Sequence, residues 1–145
     1  MRPAAQPRAV LLDTCAAIWT ANGDPLRRPA QARIVQAALA DGVFVSPISA
    51  WEIGVLSRPR SGRAMEFLPD PGSWFARLMA GPGIRPAPFT AEIAIAASHL
   101  PGALHGDPAD RLLIATARRM AMPIVTRDSR IIAYAAAGHV GVIPC

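Results

Sequence analysis

The sequence predicts one α/β domain built on a short parallel sheet of about five strands, covered by helices on both faces. Three observations predict it. The chain has 145 residues, 52% of them hydrophobic, enough for one core without staples. Brief apolar runs alternate with stretches of helical period, and Pro, Gly or Asp marks nearly every changeover.

The elements follow in order. AVLL at 9–12 is a continuous apolar run that reads as a buried strand, and it ends at Asp13 before the helix-compatible TCAAIWTA. Pro29 opens AQARIVQAALA, in which Ile34, Val35, Ala38 and Leu39 share a helical face until Asp41-Gly42 stops it. VFVS at 43–46 is a second strand, leading through Pro47 into the helix ISAWEIGVL. Residues 57–73 lose all periodicity among Pro, Gly and charge, so an irregular excursion is expected inside a domain that spans 1–145. WFARLMA resumes a helix. Ile84–Pro88 reads as an edge strand, because its prolines cannot donate to a ladder on both sides. Thr90 caps AEIAIAASHL, Asp107-Pro108 starts ADRLLIATARRMA, and PIVT at 123–126 is the next strand. Asp128 caps a helix to about Ala137, and Gly138 separates it from a last strand, VGVI.

Composition removes several chemistries. The formal charge is +5, and all fifteen basic residues are arginines. With no lysine, Schiff-base chemistry, P-loop nucleotide hydrolysis and lysine-assisted aspartyl-phosphate sites are excluded. A basic excess favours a polyanionic partner such as nucleic acid, although an arginine-only, alanine-rich chain also fits coding bias. Only four apolar residues run together before Asp13 and nowhere do eighteen, so a cytoplasmic protein without a membrane partner is expected. Cys15 and Cys145 lack metal-site spacing and read as free thiols.

The acids carry the chemistry. Asp13 ends the first strand, Asp128 follows PIVT, Asp110 lies in the first turn of the helix begun by Asp107, and Glu52 sits inside a helix. In an open α/β sheet, ligands gather beyond the carboxyl ends of strands, where Asp13 and Asp128 should point. The competing reading is helix capping, which suits Asp107 with Asp110, and Asp128 alone. Glu52 resists it. Its neighbours on the helix are Ile48, Ser49, Val55 and Leu56, and a carboxylate on so apolar a face needs a partner. Arginine could serve, but a divalent ion shared with Asp13, Asp110 and Asp128 explains all four acids together. An all-oxygen donor set suits Mg²⁺ or Mn²⁺, and such ions support hydrolysis of a phosphodiester.

LLDTCAAIW at 11–19, VSPISAWEI at 45–53, HGDPADRLLIATA at 105–117 and VTRDSRI at 125–131 together resemble the PIN-domain ribonucleases of the VapC toxin type, in family order and spacing. The resemblance implies a Mg²⁺-dependent endoribonuclease, the toxin of a toxin–antitoxin pair, that leaves a 5′-phosphate and a 3′-hydroxyl. It implies Asp13, Glu52, Asp110 and Asp128 as catalytic and metal-binding residues, with Asp107 as an auxiliary acid. Ser49 and Thr126 would hydrogen-bond a carboxylate or a metal-bound water. It also implies a small antitoxin partner and a homodimer. Two features depart from the pattern: Cys15 stands where histidine often follows the first Asp-Thr, and the stretch after Glu52 is rich in Pro and Gly.

Arg111, beside Asp110, is the arginine expected to contact RNA phosphate, against the alternative of a solvated face that also holds Arg118 and Arg119. Arg127 and Arg130 flank Asp128. Trp19, Trp51 and Trp74 could stack on bases, but their helical settings favour core or interface packing. Two other functions compete: a catalytically silent PIN-fold module that binds RNA or protein, and a DNA nuclease, for which the chain lacks room for clamping helices.

Overall fold

A computed structural model describes residues 8–59 and 64–145. Its five strands are β1 (Val10–Leu12), β2 (Val43–Val45), β3 (Ile84–Pro86), β4 (Ile124–Thr126) and β5 (Val142–Pro144). All pair in parallel, in the order β3-β2-β1-β4-β5. The seven helices among the described residues are α1 (Thr14–Asn22), α2 (Arg28–Ala38), α3 (Pro47–Leu56), α4 (Pro71–Met79), α5 (Ala91–Ser98), α6 (Pro108–Met120) and α7 (Ser129–Ala136).

The two-residue period of a strand explains why β1 is apolar at every position. Val10 and Leu12 pack with Ala16, Ala17, Ala30, Ile34 and Ala37 of α1 and α2 on one face. Leu11, pointing the other way, packs with Leu113, Ile114 and Ala117 of α6 and with Ile131 and Tyr134 of α7. A central strand covered on both faces has no solvent side on which to place a polar residue.

Chain order turns back at this strand. From β1 the sheet grows outward through β2 to β3, and the chain then returns to add β4 and β5 on the opposite side. The carboxyl ends of β1 and β4 therefore flank a point where the helices diverge and leave a crevice. Asp13 and Asp128 lie just beyond those two strand ends.

The sheet edges behave as their prolines require. β3 and β5 are the two edge strands and carry Pro86 and Pro144. β5 begins two residues later than VGVI suggests, because its register on β4 matches Val142 to Ile124. Gly83, ahead of β3, has φ +76°, and a side chain there would meet the backbone of Ala38 at 2.5 Å, so only glycine lets α2 pass so close. Of the 57–73 stretch, residues 60–63 lie outside the described ones. Its end is already helical: Asp70 caps α4 by accepting from the Ser73 N–H at 2.8 Å, and Pro71 takes the first helical position.

Candidate active site

Asp13 is the first residue after β1 and the N-cap of α1. Its Oδ1 accepts from the Ala16 N–H at 2.7 Å, and its Oδ2 accepts from the Thr126 hydroxyl at the end of β4. Thr126 is fully buried, and its oxygen also accepts the Asp128 N–H at 3.0 Å. A relay from the Asp128 backbone through Thr126 to Asp13 thus ties the ends of the two central strands together.

Glu52 comes from α3, one turn inside the helix. The Thr14 hydroxyl donates to its Oε1 at 2.5 Å, and Ser49 bonds the same Thr14 oxygen at 2.9 Å. Because a hydroxyl has one proton, the direction is fixed as Ser49 to Thr14 to Glu52. Ser49 therefore reaches the carboxylate through Thr14 rather than directly. Thr14 was not singled out in the sequence, although it is the threonine of the Asp-Thr pair in LLDTCAAIW.

Asp110 lies in the first turn of α6 and takes a hydrogen bond from His105 Nε2 at 2.8 Å. Asp128 caps α7 through the N–H groups of Arg130 and Ile131, at 2.8 and 3.3 Å. The Arg130 guanidinium lies 3.1 Å from Asp128 Oδ2 and 3.7 Å from Asp110 Oδ2, bridging the two acids. Asp107 is the N-cap of α6, accepting from the Asp110 N–H at 3.1 Å.

Asp13, Glu52, Asp110 and Asp128 line one cavity of about 280 Å³, together with Thr14, Cys15, Trp19 and Arg127. Asp107 is not among its lining residues. Arg111 is elsewhere: its Nε donates to the Ala97 carbonyl at 3.0 Å and its Nη1 approaches the Leu104 and His105 carbonyls at 3.5 Å. It fastens the α5–α6 connection and lines another pocket, with Gly106 and Pro108. Among the tryptophans, Trp74 packs edge-on to Phe67, Trp51 is 64% exposed on α3, and Trp19 borders the acids.

The electrostatics are those of carboxylates held close against their preference. Burial pushes the Asp13 carboxyl above its ordinary range, opposed by the Thr126 and Ala16 hydrogen bonds and reinforced by Asp110 and Asp128. Glu52 is raised by desolvation, opposed by Thr14 and reinforced by Asp110, Asp107 and Asp13. Asp110 is raised for the same first reason, opposed by His105 and reinforced by Asp107 and Asp128. Asp128 differs. Its modest desolvation is outweighed by the side chain and N–H of Arg130 and the N–H of Ile131, and its carboxyl is held below the usual range. Desolvation and the neighbouring Asp13, Glu52 and Asp110 push the Cys15 thiol up to about 11, so it offers no thiolate near neutral pH.

Three carboxylates driven toward protonation in one oxygen-lined cavity are what a hard divalent cation relieves. Among the described residues, no three acidic, histidine or cysteine side chains are already drawn into a finished ligand shell. Asp128 and Asp110 are instead partly neutralised by Arg130. The donor atoms are the oxygens that a hard cation prefers, and the side chains would have to shift to ligate one ion together.

Comparison with known proteins agrees with this architecture. The family model for the PIN domain matches residues 10–137. The chain is 34% identical over 123 residues to ribonuclease VapC22 of Mycobacterium tuberculosis, covering 84% of this chain and 88% of the relative. Similar solved folds include VapBC2 of Rickettsia felis bound to a DNA fragment from its promoter, at TM-score 0.65 and 14% identity, covering 94% and 98% of the two chains. DNA-bound VapBC of Salmonella typhimurium follows at TM-score 0.58 and 14% identity, covering 94% and 97%.

Proposed function

Because the chain belongs to the PIN-domain family, with a relative of the VapC type, we propose that it is a Mg²⁺-dependent endoribonuclease acting as the toxin of a toxin–antitoxin pair. The observation that carries the reading is that Asp13, Glu52, Asp110 and Asp128, from four separate segments, face one cavity at the carboxyl ends of the central strands.

These four carboxylates would hold the ion, Mg²⁺ or Mn²⁺. When bound, such an ion lowers the pKa of a water and neutralises charge on the departing oxygen of a phosphodiester. The chain's own residues supply the rest. Thr126 and Thr14 each hold one oxygen of Asp13 and Glu52, which leaves the second Glu52 oxygen without a hydrogen-bond partner among the described residues. His105 fixes Asp110 from behind, and Asp107 keeps the first turn of α6 in place.

The same reading includes partners. The similar solved structures are VapBC assemblies, and this chain leaves Trp51, Leu39, Phe89 and Ile95 exposed, apolar surface fit for a small antitoxin or a second copy of the chain.

The test is cleavage of a broad RNA pool by the purified protein, free of antitoxin. Cutting that requires Mg²⁺ or Mn²⁺, stops with chelator and falls about 10²–10³-fold in Asp13→Asn is the expected result. An RNA pool bound but left intact in either metal would replace the enzyme with an RNA-binding module, and equal cutting of DNA would replace the substrate.

A further inference from the structure

We propose that Arg127, set over the Trp19 ring, grips the phosphodiester backbone of the RNA strand at the mouth of the acidic cavity. This deepens the ribonuclease reading above and rests on it.

A cavity walled by four carboxylates repels a polyanion, so a cation has to draw the strand in. Among the described residues lining that cavity, Arg127 is the one cation. Arg130 is committed to Asp128 and Asp110. Arg111 is committed to backbone carbonyls on the other side of α6. Arg127, by contrast, pairs with no acidic side chain among the described residues. Its guanidinium carbon lies 3.9 Å from the centroid of the Trp19 ring, and its Nε donates to the Cys145 carbonyl at 3.0 Å. The guanidinium also meets the Cys145 thiol, a neutral group.

Its backbone cannot drift either. Thr126 on one side is buried and bonded to Asp13, and Asp128 on the other caps α7. Trp19 is fixed in turn, because it packs on the sheet core through α1 and its carbonyl accepts from the Asp24 N–H at 2.9 Å. A planar fork oriented in advance, with no acidic side chain to neutralise it, matches two oxygens of a phosphate and loses little entropy on binding. A nucleobase stacked on the open face of the guanidinium is the rival occupant. It would leave the terminal donors unused.

The test measures binding of a fluorescent single-stranded oligoribonucleotide pool to protein made cleavage-dead by Asp13→Asn, over a range of salt. Arg127→Ala in that background is expected to weaken binding about 5–10-fold near 0.1 M salt and to shrink the slope of log affinity against log salt by about 0.7, one single-strand phosphate contact. Arg127→Lys restores the slope but not the full affinity, and Trp19→Leu loses part of the affinity. Arg119→Ala, which removes an exposed arginine paired with Glu92, leaves both unchanged. Arg127→Gln replaces the alanine variant if melting shows that the latter fails to fold. Weaker binding at an unchanged slope, or equal losses in Arg119→Ala and Arg127→Ala, overturns the proposal. The two readings separate cleanly: a wild-type protein that cuts RNA while Arg127→Ala keeps its slope loses only the arginine, whereas one that never cuts yet shows the expected slope change loses only the nuclease.

Discussion

Single residues here do their work by correcting one another's charge. Asp13 is the most buried of the four acids and would rather be neutral, and what keeps its oxygens placed is a helix N–H on one side and the Thr126 hydroxyl on the other. A carboxyl whose folded-state pKa lies above its unfolded value makes the folded state bind more protons as pH rises past the ordinary aspartate range. Stability contributed by the protonated form is then lost as pH climbs through the raised value. Asp13→Asn keeps the shape and the capping oxygen while removing that charge. In metal-free buffer the variant should melt higher than the parent at pH 7, by about 3 °C for each ~1 kcal/mol relieved, with the difference shrinking as pH falls toward 4. Thermal melts at several pH values check this; a difference that is constant or grows toward acid would contradict it. The acids were legible in sequence because each sits where a rule makes it conspicuous, at a strand end, a helix start or on an apolar helix face. Arg111 was misleading for a geometric reason: neighbours in a helix point about 100° apart, so lying beside Asp110 in sequence turns Arg111 away from it. His105 was missed as a partner of Asp110 because it sits in an aperiodic loop, although it opens the motif HGDPADRLLIATA.

At the scale of elements, the helix starts repay close reading. Three of the four acids stand at or near helix N-termini, so the fold uses dipole and cap to hold anions that also serve the site. Asp107 caps α6 and lies outside the cavity lining, while its charge still acts on Glu52 and Asp110. Asp107→Ala is therefore expected to lower stability by about 1 kcal/mol and to reduce cleavage less than tenfold, whereas Asp110→Asn should abolish cleavage at nearly unchanged stability. Urea unfolding beside the RNA assay distinguishes the two; a loss of activity in Asp107→Ala as deep as that in Asp110→Asn would make Asp107 a working member of the site. The same Asp-Pro signal that revealed the start of α6 is present at Asp70-Pro71, yet the surrounding Pro, Gly and charge hid it, and α4 begins three residues before the WFARLMA run. Strand ends shifted by a residue or two because register is set by the neighbouring strand, which local composition does not encode.

The whole molecule is organised by the reversal of chain order at β1. Sheet order β3-β2-β1-β4-β5 brings residues 13 and 128, more than a hundred positions apart in the chain, to adjacent strand ends, and α3 and α6 then close the crevice with Glu52 and Asp110. Alternating strands and helices made the α/β class readable, and apolar runs on both faces made the sheet parallel. Which side chains share the cavity depends on the rotation of α1 and the path of the β4–α7 connection, so the pairing of Trp19 with Arg127 emerged only in three dimensions. On the function proposed above, this convergence creates a divalent-ion site. Titrating Mn²⁺ into the metal-free protein, followed by calorimetry, tests it most directly. Wild-type protein should bind the ion, and Asp13→Asn and Glu52→Gln, altered on different segments, should each weaken binding at least about tenfold. Equal binding by all three proteins, or none by the wild type, would contradict it.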